Sequence, residues 1–177
     1  MRAKIKTTLL TGLMLLTCFS VSFASELRSR YATILYSNED EVRKFNYEVS
    51  LGSLSYLLRN RGSITVGDEL KNKVDVIIEK VESILEMYPK ELKFHIVLLP
   101  SNNEVQEIFR KKYGTYVDYI AFYSPRDKTV YVSVEDIELT VLAHEIGHVV
   151  IDFYYGVGTP RKIHEVLSQY VEAHLKD

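Results

Sequence analysis

The sequence predicts an α+β fold, and three observations carry that expectation. Apolar residues at helical spacing run from Val66 to Tyr88, long enough for one extended helix. Two short segments of strand character, Phe94–Leu99 and Thr129–Val134, stand apart from it. The chain then closes on two helical segments in succession with no strand between them, so strands and helices are segregated and do not alternate regularly.

The amino terminus is set aside first. Arg2, Lys4 and Lys6 make a positive start, Leu9 to Phe23 is apolar apart from small residues and threonines, and Ser22-Phe23-Ala24 puts small residues where a signal peptidase reads. The expectation is a secretory signal over residues 1–24, with a secreted or periplasmic destination. The apolar run is short for a retained membrane span, and Leu16 and Thr17 are too bulky for a lipidated Cys18. Removing residues 1–24 from the 177 leaves 153, read as one domain over 25–177, and with three positive charges gone the net charge moves from −2 to −5. A mildly acidic domain with no basic block gives no reason to expect a nucleic-acid partner, and no membrane contact is expected after signal cleavage. Cys18 is the only cysteine. The domain is therefore expected to rely on its core, and on a metal, instead of disulfides.

Within the domain, Tyr31–Tyr36 alternates as a strand, and residues 39–60 read as helix interrupted near Gly52. Val66, Leu70, Val74, Ile77, Ile78, Val81, Ile84, Leu85 and Tyr88 form the stripe of the long helix, opened by Thr65 with Asp68 as a capping box and stopped by Pro89. Phe94–Leu99 is continuously apolar apart from His95, as a central strand is. Ser101 with Glu104 predicts a second capping box, on a helix ending near Gly114. Tyr119–Tyr123 and Thr129–Val134 are strands joined by Ser-Pro-Arg-Asp-Lys as a hairpin. Ser133 with Asp136 predicts a third capping box, leading into a helix that runs to about Tyr155. After Gly156-Val157-Gly158, Thr159 and Pro160 open the last helix.

His144-Glu145-Ile146-Gly147-His148 is an H-E-x-x-H motif. Residues four apart on a helix stand one above the other, so both imidazoles project toward one point, as a metal requires. Glu145 lies beside the first histidine, where its carboxylate can take a proton from a water. Leu142, Ile146, Val149, Val150 and Phe153 form a core side of the same helix, while His144, His148 and Asp152 line another face. The plainer reading, two buried histidines bonded to backbone carbonyls, leaves that polar face unexplained. A third ligand is needed. The metzincin pattern fails, because Ile151 and Tyr154 stand where it has glycine and histidine. Glu165 lies about one turn into the final helix and returns near His148 if the two helices are antiparallel. His164, which points about 100° away, Glu172, two turns deeper, and Asp152 are the alternatives.

Thr129–Val134, the His144–His148 helix and Ile163-His164-Glu165-Val166-Leu167-Ser168-Gln169-Tyr170-Val171-Glu172 together resemble the gluzincin zinc peptidases. The last segment is similar to the E-G-L-A-E-Y-V helix of peptidase MA-like proteins, and the resemblance covers about residues 117–175. It implies a zincin-like twisted mixed sheet on a backing helix, an active-site helix beneath an edge strand, and a following helix that bears the glutamate ligand. The family's third ligand maps onto Glu165, giving one zinc per chain held by His144, His148 and Glu165, with Glu145 as general base. Thr129–Val134 would be the edge strand that pairs with an extended peptide substrate. Two departures stand out. Members often carry a carboxylate four residues after the third ligand to orient the first histidine, and here that residue is Gln169. Larger members also have a helical carboxy-terminal subdomain that supplies an oxyanion donor, for which Tyr119, Tyr123, Tyr154 and Tyr155 are the candidates here. The expected activity is metal-assisted hydrolysis of peptide bonds. The alternative is a secreted zinc-binding module that is weakly active, or latent until an unknown inhibitor leaves or an activating partner arrives.

Overall fold

A computed structural model describes residues 25–156 and 159–176; the expected signal, Cys18 included, lies outside the described residues. Five strands form one mixed sheet: β1 (Ser25–Arg28), β2 (Ala32–Tyr36), β3 (Phe94–Leu99), β4 (Ala121–Ser124) and β5 (Thr129–Ser133), in the order β1-β2-β3-β5-β4. β2, β3 and β5 are parallel, while β1 and β4 run antiparallel along the two edges. The helices are α1 (Glu39–Glu48), a 3₁₀ segment (Gly52–Leu58), α2 (Val66–Leu85), α3 (Asn102–Tyr113), α4 (Leu139–Tyr155) and α5 (Arg161–His174). The α+β class is as expected.

Strand alternation divides the core in two. Phe94, Ile96 and Leu98 of β3, with Val130 and Val132 of β5, enter the main core with α1, α2 and α4. Val97 and Leu99, with Phe122 of β4, face the other way and are covered by Val105, Ile108 and Phe109 of α3. α2 is the backing helix of the main core: Leu70, Val74, Ile77, Ile78 and Val81 are fully buried along one stripe. Its capping box forms, with Thr65 Oγ1 accepting the Asp68 N–H at 3.0 Å and Asp68 Oδ2 accepting the Thr65 N–H at 3.1 Å. Its end differs from the expectation. Glu86 turns the chain at φ 53, ahead of Pro89, and its N–H returns to the last-turn carbonyls of Glu82 and Ser83.

Other differences have physical causes. β1 was not anticipated: it is four residues long, mostly exposed, and depends on its pairing with β2. The capping boxes at Ser101 and Ser133 do not form. Ser101 occupies the N-cap of α3 without a side-chain bond. Ser133 Oγ instead accepts the Glu135 N–H at 3.2 Å, a local turn, and α4 starts only after Glu138. Thr159 is likewise not the cap of α5, whose N-cap is Pro160.

The correction that matters most for function concerns β5. It is paired on both sides, to β3 and to β4, and so is not an edge strand; β4 holds that place beside α4. The Ser133 N–H donates to Ile120 O and the Val134 N–H to Leu99 O, so odd positions of β5 bond to β4 and even positions to β3. In β4 the same parity turns Ala121 and Tyr123 outward. Among the described residues no helix is long and apolar enough to cross a membrane.

Proline at Val132 would remove a donor directed at β3 and strand its carbonyl partner, at about 1–3 kcal/mol for that group alone. Val132→Pro is therefore expected to lower the urea midpoint sharply or prevent folding, with or without metal. A variant that folds with wild-type stability would contradict the central position of β5.

Candidate metal centre

α4 carries its apolar residues Leu142, Ile146, Val149 and Val150 into the main core, all fully buried, which turns His144 and His148 toward α5. Their Nε2 atoms lie 3.1 Å apart. Glu165, one turn into α5, places Oε2 3.7 Å from His144 Nε2 and 3.9 Å from His148 Nε2. A point equidistant from atoms at these separations lies about 2.1 Å or more from each, which admits the ~2.0–2.2 Å bonds of zinc to nitrogen and carboxylate. Among the described residues this is the one group of three His, Cys, Asp or Glu side chains close enough to hold a metal ion.

The alternatives for the third position are placed elsewhere. Asp152 Oδ2 accepts the Tyr123 hydroxyl at 2.8 Å. His164 stacks on His148 with ring centroids 5.8 Å apart. Glu172 lies behind His144, its Oε1 3.4 Å from Nδ1, the nitrogen facing away from the centre. Gln169 is on the exposed side of α5. Ser168 Oγ is 3.2 Å from His148 Nδ1. Burial, reinforced by His144, His164 and Arg161, pushes the His148 imidazole down to about 3, so it is neutral at physiological pH with a lone pair to donate.

Glu145 points toward the sheet. Its Oε2 accepts the outward Tyr123 N–H of β4 at 2.7 Å. Burial raises its carboxyl to about 7; the Tyr123 N–H opposes that shift, and Glu165 and Glu172 add to it. A nearby cation acts in the opposite direction. Tyr123 thus meets α4 twice, through its N–H and its hydroxyl. The hydroxyl, held above its ordinary pKa by burial and Asp152, is committed to that carboxylate. Tyr119 packs edge-on against Phe109 across the sheet, and Tyr154 and Tyr155 pack against each other with half their surface exposed. None of the four proposed tyrosines is directed at the centre by these contacts.

The sequence reading missed Gly147, Ser168 and the Tyr123 N–H, and it named Glu172 only as an alternative ligand. A Cβ on Gly147 would meet Ser168 Oγ at 2.9 Å and the Ser168 backbone Cα at 3.3 Å. The helices cross backbone to backbone at the point that sets Glu165 opposite the histidines. Ser168 and Glu172 follow Glu165 by three and seven residues, so helical spacing puts them on its face of α5, while the crossing with α4 decides which histidine each meets.

Gly147→Ala should push α5 away at Ser168 while keeping α4 helical. Metal affinity, measured by competition with a chelator, is expected to fall about 10-fold or more, with little change in circular dichroism. Unaltered affinity would mean that α5 can shift without moving Glu165. Comparisons of the chain with protein-family models, with curated proteins and with solved structures return no match.

Proposed function

We propose that this chain is a zinc-dependent peptidase of gluzincin type, exported by its amino-terminal segment and acting on peptide or protein substrates outside the cytoplasm. The observation that carries this reading is the convergence of His144 Nε2, His148 Nε2 and Glu165 Oε2 from two helices, with Glu145 on the helix that bears both histidines. Two imidazoles and one carboxylate suit zinc better than the all-oxygen sets that calcium and magnesium prefer. The mixed sheet with an antiparallel edge strand above α4, and a following helix bearing the glutamate, is compatible with a zincin-like arrangement.

When bound, zinc supplies a Lewis acid that polarises a peptide carbonyl and lowers the pKa of water. The protein's own groups do the rest. Glu145, held by the Tyr123 N–H, takes a proton from the attacking water and returns it to the leaving amine, without a covalent intermediate. β4, not β5, is the edge strand beside α4, and an extended peptide joining the sheet there would pair with the outward N–H and C=O of Ala121 and the C=O of Tyr123, although the four residues of β4 are buried. Recognition through backbone groups reads shape more than side chains, and specificity should be loose.

A second reading has an observation in its favour. The Glu145 carboxylate is engaged by the Tyr123 N–H, and the contacts of the four proposed oxyanion donors direct none of their hydroxyls at the metal centre, which suits a zinc-binding module that is weakly active or latent until a partner completes the cleft. Cleavage of a denatured protein, with and without a chelator, separates the two.

Purified protein should carry about one zinc per chain, and His144→Ala, His148→Ala and Glu165→Ala should each lose most of it. Full zinc in Glu165→Ala would sink the ligand assignment. Glu145→Gln should keep the metal and lose turnover by about 100-fold or more; unchanged hydrolysis in that variant would end the mechanism.

A further inference from the structure

We propose that Glu172 is the positioning residue of His144, accepting its Nδ1–H and so fixing the tautomer that turns Nε2 to the metal. The inference rests on the metal-centre reading. A ligating imidazole presents one nitrogen as a lone pair, so its proton sits on the other, which needs an acceptor. His144 Nδ1 is buried and has no aligned hydrogen-bond partner, and the carboxylate of Glu172 stands 3.4 Å from it. That is a few tenths of an ångström beyond a good bond, within reach of a small side-chain rotation by a glutamate that is partly exposed.

The pairing does not stand alone. Spacings of three and four residues put Glu165, Ser168 and Glu172 on one face of α5, and each meets the centre differently. Glu165 faces both Nε2 atoms, Ser168 Oγ meets His148 Nδ1, and Glu172 meets His144 Nδ1. One helix therefore offers a ligand and an acceptor for each histidine. A carboxylate acceptor forms a charge-assisted bond and makes the imidazole more basic, so Glu172 should matter more than Ser168. Gln169, four residues after Glu165, cannot serve, because it lies on the exposed side of α5.

The test measures zinc affinity of the purified protein by chelator competition, together with the imidazole Nδ1–H resonances of the zinc-loaded protein by nitrogen-edited NMR. Glu172→Gln, which keeps the shape and removes the charge, should weaken zinc about 10-fold or more and move the His144 Nδ1–H resonance while leaving that of His148 in place. Ser168→Ala should do the converse to the resonances, and Gln169→Ala should leave affinity within about twofold. A merely structural Glu172 would not move one histidine resonance alone. Wild-type zinc binding with equal affinity and an unmoved resonance in Glu172→Gln overturns this role and leaves the metal centre standing. A wild-type protein that takes up no zinc overturns the centre and the role together.

Discussion

The site depends on how closely α4 and α5 approach at Gly147 and Ser168. α4 is fixed first: its apolar side is buried against α2 and the sheet, so His144, Glu145 and His148 take their directions from the core. α5 is held more thinly, with only Ser168 and Val171 of its helical residues buried. Its position is set by where it meets α4, and a missing Cβ at Gly147 lets the backbone of Ser168 come within van der Waals contact. Glu165, Ser168 and Glu172 all lie on the helix positioned by that crossing. An ion shared between the helices would return the favour, because binding free energy available only to the folded arrangement adds to its stability.

β4 supplies the second constraint. In an antiparallel edge strand alternate residues turn their backbone groups away from the sheet, and Tyr123 is one of them. Its N–H finds Glu145 on α4 and its hydroxyl finds Asp152 about two turns on. An outward amide on an edge is a liability when left unpaired. Here it is satisfied by the carboxylate assigned as the base, which keeps that side chain from wandering among rotamers.

How much of this could be read in advance follows from the range of each interaction. The long stripe of α2, the apolar run of β3 and the spacing of His144 and His148 are local periodicities, and each produced the element expected. Glu165 was legible because a short turn between two helices limits which residues return to His148. Strand order is not a local property: Thr129–Val134 has the same alternation in the middle of a sheet as at its edge, and only the pairing with β3 decides between them. The capping signals at Ser101 and Ser133 are local too, yet they failed, because a hydroxyl finds nearby donors outside a helix as easily as within one. Glu172 was weighed only as a rival ligand. Its place behind His144 comes from the angle at which α5 crosses α4, which no spacing within one helix encodes.

Glu145, Glu165 and Glu172 gather round two imidazoles, and the two glutamates of α5 both raise the cost of ionising Glu145. Among the described residues, Arg161 is the one arginine or lysine that bridges to them, 3.5 Å from Glu165 and largely exposed, where solvent screening leaves its contribution small. Imidazoles that offer lone pairs to a metal cannot balance three carboxylates. A divalent cation held by His144, His148 and Glu165 would carry one net positive charge with its ligands and would favour the ionised form of Glu145. The same ion would then be the centre of the coordination and the counter-charge that lets a buried Glu145 act as a base near neutral pH, so that metal binding and the readiness of the base would be one electrostatic event.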